Sequence, residues 1–259
     1  MTFKLEPYQR LLGAQILAHL AIIPMVVWGT SQDFLISLGV YFLTGCLGMN
    51  MTYHRLLSHR SWNAPKWFEH LGSLLGTLGL TGSTIAWCAI HREHHRTTDT
   101  PKDPHSPHYQ KWWEVQFLSM RHPVNVRFVT DLLRDPFQIF LHRHYFKINF
   151  AYAAILLAID PFLMISAYLF PAAVLWNAGS AVNSIGHLFG YKNHDAKDES
   201  RNNLALGYLV WGEGWHNNHH RYPKRYYLGE RWFEIDISGL MIHLVRKRES
   251  VSKTDIEAS

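Results

Sequence analysis

Charge is what this chain has least of. Of its 259 residues, 17% are Asp, Glu, Lys or Arg, against roughly 25% in ordinary soluble domains. With 47% hydrophobic residues, that shortage excludes a disordered chain and weighs against a plain cytosolic enzyme. Cysteine is almost missing. Cys46 and Cys88, both inside apolar runs, can build neither a disulfide framework nor a thiolate metal site. There is no glycine-rich phosphate loop, no repeat of solenoid length and no low-complexity tract. Histidine is the contrary case: 18 residues against 20 Asp and Glu together. Such a surplus calls for metal or proton chemistry.

The apolar residues are gathered into runs. Residues 11–29 and 34–53 carry no charge and are long enough to cross a ~30 Å hydrocarbon core. Between Ile148 and Gly186 the only charge is Asp160, and Asp160-Pro161 is a turn signal that divides this stretch into spans at about 145–159 and 162–186. The first run is not read as a signal peptide, because it lacks a small-residue cleavage site and a second span follows almost at once. The joints 30–33 and 160–161 hold no Lys or Arg, so all 25 basic residues fall on one side of these four spans. By the positive-inside rule that side is cytoplasmic, with both termini. A further uncharged run, 71–90, is rich in Gly, Ser and Thr. As a full span it would put His59 and His91 on opposite faces, so it is read as a re-entrant or interfacial segment. The expectation is one membrane domain over 1–248, with 249–259 a polar tail.

Eight histidines fall into three motifs: His54 and His59 as HxxxxH, then His91, His94 and His95, then His216, His219 and His220, both as HxxHH. A lone histidine at a helix end is ordinarily structural or solvated. Three such motifs on one membrane face are not explained that way. On a helix, residues three and four apart share a face, so each HxxHH presents three imidazoles to one side. His54 and His59 are five apart and are expected to reach the site from a helix end. Eight imidazoles exceed the needs of one ion, which suggests two. Imidazole suits Zn, Cu, Fe and Ni alike, so the ligands do not choose the metal. Glu93, Asp99, Asp103 and Glu213 are candidates to orient the rings. Arg55, Arg60 and Arg92 beside the motifs could pair with such carboxylates or simply serve as positive-inside charges. Arg201-Asn202-Asn203 could orient the last motif.

The segments HRLLSHRSW (54–62), WCAIHREHHRTTDTPKDPHSP (87–107), NSIGHLFGYKNHD (183–195), GEGWHNNHHRYP (212–223) and WFEID (232–236) together resemble the membrane-bound fatty acid desaturases of the Δ9, stearoyl-CoA-desaturase-like type. They stand in that family's order over most of the chain. The resemblance implies an all-α integral membrane protein of four transmembrane helices, with a cytoplasmic helical cap holding a histidine-rich di-metal site. Its metal ligands would fall on His54, His59, His91, His94, His95, His187, His216, His219 and His220, with Asn183 holding a metal through water. Read on its own, His187 is a helix-end histidine; Asn183, four residues before it, shares its face. The other nine histidines (19, 70, 105, 108, 122, 142, 144, 194 and 243) are given no metal role.

The implied reaction is O2-dependent introduction of a cis double bond, Δ9 by resemblance, into a saturated acyl chain, with two Fe ions as cofactor and O2 as co-substrate. Neighbouring methylenes are chemically alike, so position must be set by register in a narrow tunnel, each buried CH2 contributing ~0.8 kcal/mol. Phe42, Gly45, Gly48, Trp87 and Trp215 are candidate tunnel walls, and Arg121 is a candidate headgroup contact. Animal acyl-CoA members carry a polar, charged pair where this chain has Ala89 and Ile90, which leaves acyl-CoA, acyl-lipid and acyl-carrier-protein substrates open. There is no HPGG haem motif, so a separate electron donor is expected, of ferredoxin or cytochrome b5 type with its reductase. Membrane lipid is a further partner, and nucleic acid is not, since the basic residues accompany no recognition motif. A related di-iron hydroxylase would use the same metal set. A histidine-rich metal transporter or sensor would instead place ligands inside the spans.

Overall fold

The computed structural model describes residues 8–123 and 125–246. Lys4, counted in the charge argument, and the polar tail 249–259 lie outside them. Among the described residues there are helices and loops but no strands; Tyr191–Asn202 and Asn202–Trp215 form isolated bridges.

Three helices are long and apolar enough to cross a membrane. Helix α1 is Gln9–Trp28, α2 is Ser31–Ser58 and α8 is Pro161–Leu188. Pro24 in α1 lacks an N–H, and the helix is interrupted just before it, at Ala21. A capping box sets the start of α2: Thr30 Oγ1 accepts from Asp33 N, and the Asp33 carboxylate accepts from Thr30 N. Helix α8 starts at Pro161, held by Asp160, whose Oδ1 accepts from Phe162 N at 2.6 Å. Just before it runs α7 (Tyr145–Ile159), an apolar helix of 15 residues. Apolar side chains lie open on the outside of this group, among them Leu17, Ile23 and Val27 on α1, Leu35 and Leu38 on α2, and Phe150 and Ile159 on α7. Exposed apolar surface of that extent is a lipid-facing belt.

The uncharged run 71–90 falls into two helices, α3 (Lys66–Leu78) and α4 (Thr84–Thr97). The break between them holds Gly82 at φ +101 and Leu80 at φ 55, and Ser83 Oγ caps α4. At 13 and 14 residues each is about 20 Å long, short of a full span. Helix α3 packs along α2 with the backbones in contact at Gly48 and Gly76, where an added Cβ on Gly48 would overlap the Gly76 main chain.

From Phe42 to Ser58, α2 winds as a π-helix with i→i+5 bonding. A run of four turns is uncommon, since π geometry is mostly confined to single turns near functional sites. It also carries the helix past Tyr53, where the apolar run ends. The remaining helices are short: α5 (Trp112–Leu118), α6 (Pro136–Arg143), α9 (Leu204–Leu209), α10 (His216–Arg221) and α11 (Ile237–Val245). Segments α9 and α11 rest on α2: Tyr41 donates to Leu209 O at 2.8 Å and Asn50 to Val210 O at 2.8 Å.

Candidate metal centre

The π-helix decides how the first motif reaches the site. On an α-helix, residues five apart point about 140° away from each other at 100° per residue. In α2 the His59 N–H bonds to His54 O at 3.1 Å, closing the last π turn with His59 as the helix's C-cap, and both rings come to the same side, with centroids 4.8 Å apart. The pair therefore does share a stripe, contrary to expectation from α-helical spacing. Helix α4 presents His91, His94 and His95, α8 ends on His187, and α10 consists almost wholly of the third motif.

These elements bring nine imidazoles together as two groups. His54, His59, His91, His95 and His219 form one, and His94, His187, His216 and His220 the other, with candidate ligand atoms within 4.8 Å of one another in each. Asn183, one turn before His187 on α8, lines the cavity beside His216.

Four rings are held from behind by carboxylates. His54 Nδ1 lies 2.7 Å from Glu213, His94 Nδ1 2.9 Å from Asp103, His187 Nδ1 2.9 Å from Asp99 and His220 Nδ1 3.0 Å from Asp198. Burial alone would raise Asp99, Asp103 and Asp198, but the histidines beside them hold all three carboxyls well below the usual range. Burial opposes ionisation of Glu213 too, and Arg55 with His54 outweighs it. A carboxylate only accepts, so each Nδ1 donates its proton and each Nε2 keeps a lone pair. Those lone pairs face either another imidazole nitrogen or no partner at all. His54 Nε2 lies 3.0 Å from His219 Nε2, which is itself 3.0 Å from His95 Nε2. His187 Nε2 lies 3.1 Å from His216 Nε2, while His94 Nε2 and His220 Nε2 are buried with no hydrogen-bond partner. Burial, with neighbouring imidazoles adding to it, pushes His91, His95, His216 and His219 well below their ordinary values. For His220 burial wins over the Asp198 contact, and the pKa falls to about 4. Neutral imidazoles gathered into two such groups could hold metal ions.

Three of the four expected carboxylates thus touch the rings. Glu93 makes no such bond among the described residues, and Asp198 takes a role that its position in the sequence did not announce. Behind them stands a second network. Arg55 is buried, donating from Nε to Glu213 at 3.0 Å and from Nη1 to Asp236 at 2.7 Å. Arg92 donates instead to Asp131 at 2.7 Å, and Arg60 does likewise at 2.7 Å. Asn202 Oδ1 accepts from the backbone N–H of Asn217 and Asn218, and Glu234 accepts from Asn218, Asn193 and Tyr191. The two asparagines inside the third motif therefore face this polar network while its histidines face the metal groups. His105 is buried and stacked on His94 with centroids 4.3 Å apart, and it forms a third trio with His94 and Asp103.

An open, largely apolar cavity adjoins both groups. His54, His91, His216, Asn183 and Glu213 stand at one part of it; Met49, Leu175, Trp176, Val182 and Val210 supply apolar wall. Trp87 lines it too and stacks on His91 at 4.8 Å. The structure places the other expected wall residues elsewhere. Phe42 packs edge-on against Trp211, with centroids 5.8 Å apart, and Gly45 admits that same ring. Gly48 faces α3, and Trp215 is fully buried over Gly207, with Nε1 donating to Ile235 O at 3.0 Å. Arg121 follows the lining residues Ser119 and Met120, but its guanidinium is engaged by Glu114 at 2.9 Å.

Comparison with known proteins agrees with this geometry. The family model "Fatty acid desaturase" matches residues 33–230. An sn-1 stearoyl-lipid 9-desaturase of Anabaena variabilis is 35% identical over 216 residues, covering 82% of this chain and 79% of that protein. An sn-2 palmitoyl-lipid 9-desaturase of Nostoc sp. (strain 36) is 36% identical over 217 residues, 80% of this chain and 76% of that protein. An acyl-CoA 5-desaturase of Anemone leveillei is 33% identical over 220 residues, 82% of this chain and 68% of that protein. The chain belongs to the fatty acid desaturase family and is an oxidoreductase.

Proposed function

We propose that this protein is an O2-dependent di-iron desaturase that introduces a cis Δ9 double bond into a saturated, lipid-bound acyl chain. The observation that carries the reading is the division of nine buried or half-buried imidazoles into groups of five and four beside one apolar cavity. His54, His59, His91, His95 and His219 would hold one iron; His94, His187, His216 and His220, with Asn183 through water, would hold the other. Bound there and reduced, the iron pair would supply the O2 activation that takes two hydrogens from the chain, with two electrons and two protons from outside, and releases two waters.

The protein's own part is binding and exclusion. Met49, Leu175, Trp176 and Val210 would bury methylenes and fix the register of the chain, while Trp87 braces His91 and closes the metal end to solvent. The lipid carrier is favoured by the relatives at 35–36% identity, both named as acting on acyl lipids. Helix α7 is taken as the fourth span, hairpinned to α8, with the metal centre and both termini on the cytoplasmic side where the basic residues lie. Electrons would come from a ferredoxin- or cytochrome b5-type donor with its reductase.

Expression in a host lacking its own desaturase, with double-bond positions and lipid class mapped by mass spectrometry, tests the reading. The expected product is a Δ9 monoene on membrane lipid; a hydroxy acid with no monoene would falsify it in favour of a hydroxylase. Iron analysis of wild type should give two per chain, with His91→Ala and His187→Ala each depleting it.

A further inference from the structure

The chemistry proposed above needs two electrons for each double bond, and the surface through which they enter follows from how the metal groups are covered. Six of the nine histidines are fully buried; His59, His95 and His220 are not. These three are contiguous, with ring centroids 4.4 Å apart for His59–His95 and 4.5 Å for His95–His220. The His220 ring itself is covered, so its exposure lies at the main chain. Each of the three ends its motif, and each is followed directly by an exposed arginine: Arg60, Arg96 and Arg221.

Two of those arginines are not engaged by the protein's own acids. Arg60 is 67% exposed even while paired with Asp131, and Arg96 and Arg221 have no carboxylate partner among the described residues. Lys224 and Arg225 extend the patch. Arg225 lies over the Tyr222 ring at 3.7 Å, with Arg221 5.4 Å from it, and it pairs with Glu230 at 2.7 Å. Asp198, the other nearby acid, turns inward to His220. Exposed cations clustered where a redox centre has its thinnest cover steer an acidic partner to that point.

The patch also stands clear of the lipid belt. Helix α2 has 28 residues, about 36 Å once the shorter rise of its π-wound part is allowed for, against a ~30 Å hydrocarbon core. Its belt residues Leu35 and Leu38 are at the opposite end from Arg60, which favours a protein partner over headgroups.

We propose that Arg60, Arg96, Arg221, Lys224 and Arg225 form the docking surface for a small acidic one-electron carrier protein. The reduced carrier would give up one electron per encounter to the metal held by the two histidine groups, so two encounters would serve each double bond. This inference rests on the di-iron reading, and its test separates the two.

The full-length protein in nanodiscs of zwitterionic lipid is titrated with a plant-type [2Fe–2S] ferredoxin and, separately, with the soluble domain of a cytochrome b5. At least one carrier should bind, with affinity falling as salt rises. The double variant Arg96→Glu/Arg221→Glu should bind it about tenfold more weakly or worse, as should Lys224→Glu/Arg225→Glu, whose residues adjoin no proposed ligand. Iron content and monoene formation driven by dithionite with a mediator should stay at the wild-type level in the second variant. Wild-type affinity in both variants, no binding of either carrier, or an effect seen only when anionic lipid is added would each overturn the docking surface. Failure of the wild type to make monoene with the chemical reductant would sink the di-iron reading and leave the binding result standing.

Discussion

At the scale of single residues, the site depends on which nitrogen each histidine offers, and acids outside the motifs decide that. Asp198 fixes the His220 ring from 22 positions away and Asp99 fixes His187 from 88. The histidine spacing was legible because it is local to a helix, whereas Asp198 stands in an irregular loop with no periodicity to mark it. Asp198→Asn frees the His220 tautomer, and iron affinity should fall about 10- to 100-fold, read by metal retention during chelator dialysis with the helical signal unchanged. The buried rings also set a pH dependence. In the unfolded chain these histidines take protons near the ordinary value of 6.5, while His220 in the fold does so only at about 4, and His91, His95, His216 and His219 are likewise depressed. The unfolded state therefore binds more protons below 6.5, and the stability present above that pH is lost as it falls toward about 4. Protons compete with metal for the same nitrogens. Thermal midpoint and bound iron, followed together from pH 8 downward, should both decline in that window; a flat profile would mean that the rings are not buried neutral.

At the scale of elements, the long apolar runs announced α1, α2 and α8 to within a few residues, because hydropathy and the Thr30–Asp33 and Asp160–Pro161 signals act along the chain. The π winding of α2 was not legible in hydropathy, which is blind to whether bonds close at four residues or five. Only the five-residue interval between His54 and His59 carried a trace of it. The expected tunnel wall lies elsewhere: Phe42 and Gly45 face Trp211, and Gly48 faces α3. At Gly48 the approach is backbone to backbone, so Gly48→Ala must push α2 and α3 apart. A destabilisation of about 1–3 kcal/mol is expected, with loss of iron as His54 moves relative to His91. Gly39→Ala, on the same helix, meets nothing within 4 Å and should be neutral or stabilising by up to about 1 kcal/mol. Equal thermal midpoints for the two variants in detergent would show that the α2–α3 contact does not hold the site.

The cavity exists only at the scale of the whole molecule. Its wall is drawn from α2, the α3–α4 turn, α4, the segment after α5, α8 and the end of α9, so no stretch of sequence outlined it; Trp87 was found because it neighbours a motif. Helix α8 gives the cavity a measure of length. Leu175, Gly179, Asn183 and His187 recur every four residues, about 6 Å per step along the helix, and the first three line the cavity. Gly179 is the open point of that stripe, since an added Cβ would meet nothing within 4 Å. A larger side chain there needs no shift of the backbone, and it projects one turn from the proposed metal-facing Asn183. If an acyl chain lies along α8, Gly179→Leu removes room for about two methylenes, roughly 1.6 kcal/mol of burial at ~0.8 each, or about tenfold in the rate of desaturation. Because register fixes position, the residual product should also carry displaced double bonds, with Gly179→Ala intermediate, while iron content and thermal midpoint stay at wild-type values. A wild-type rate and an unmoved Δ9 bond in Gly179→Leu would place the acyl path outside this cavity, and the metal groups would then have to be reached by a route that avoids α8.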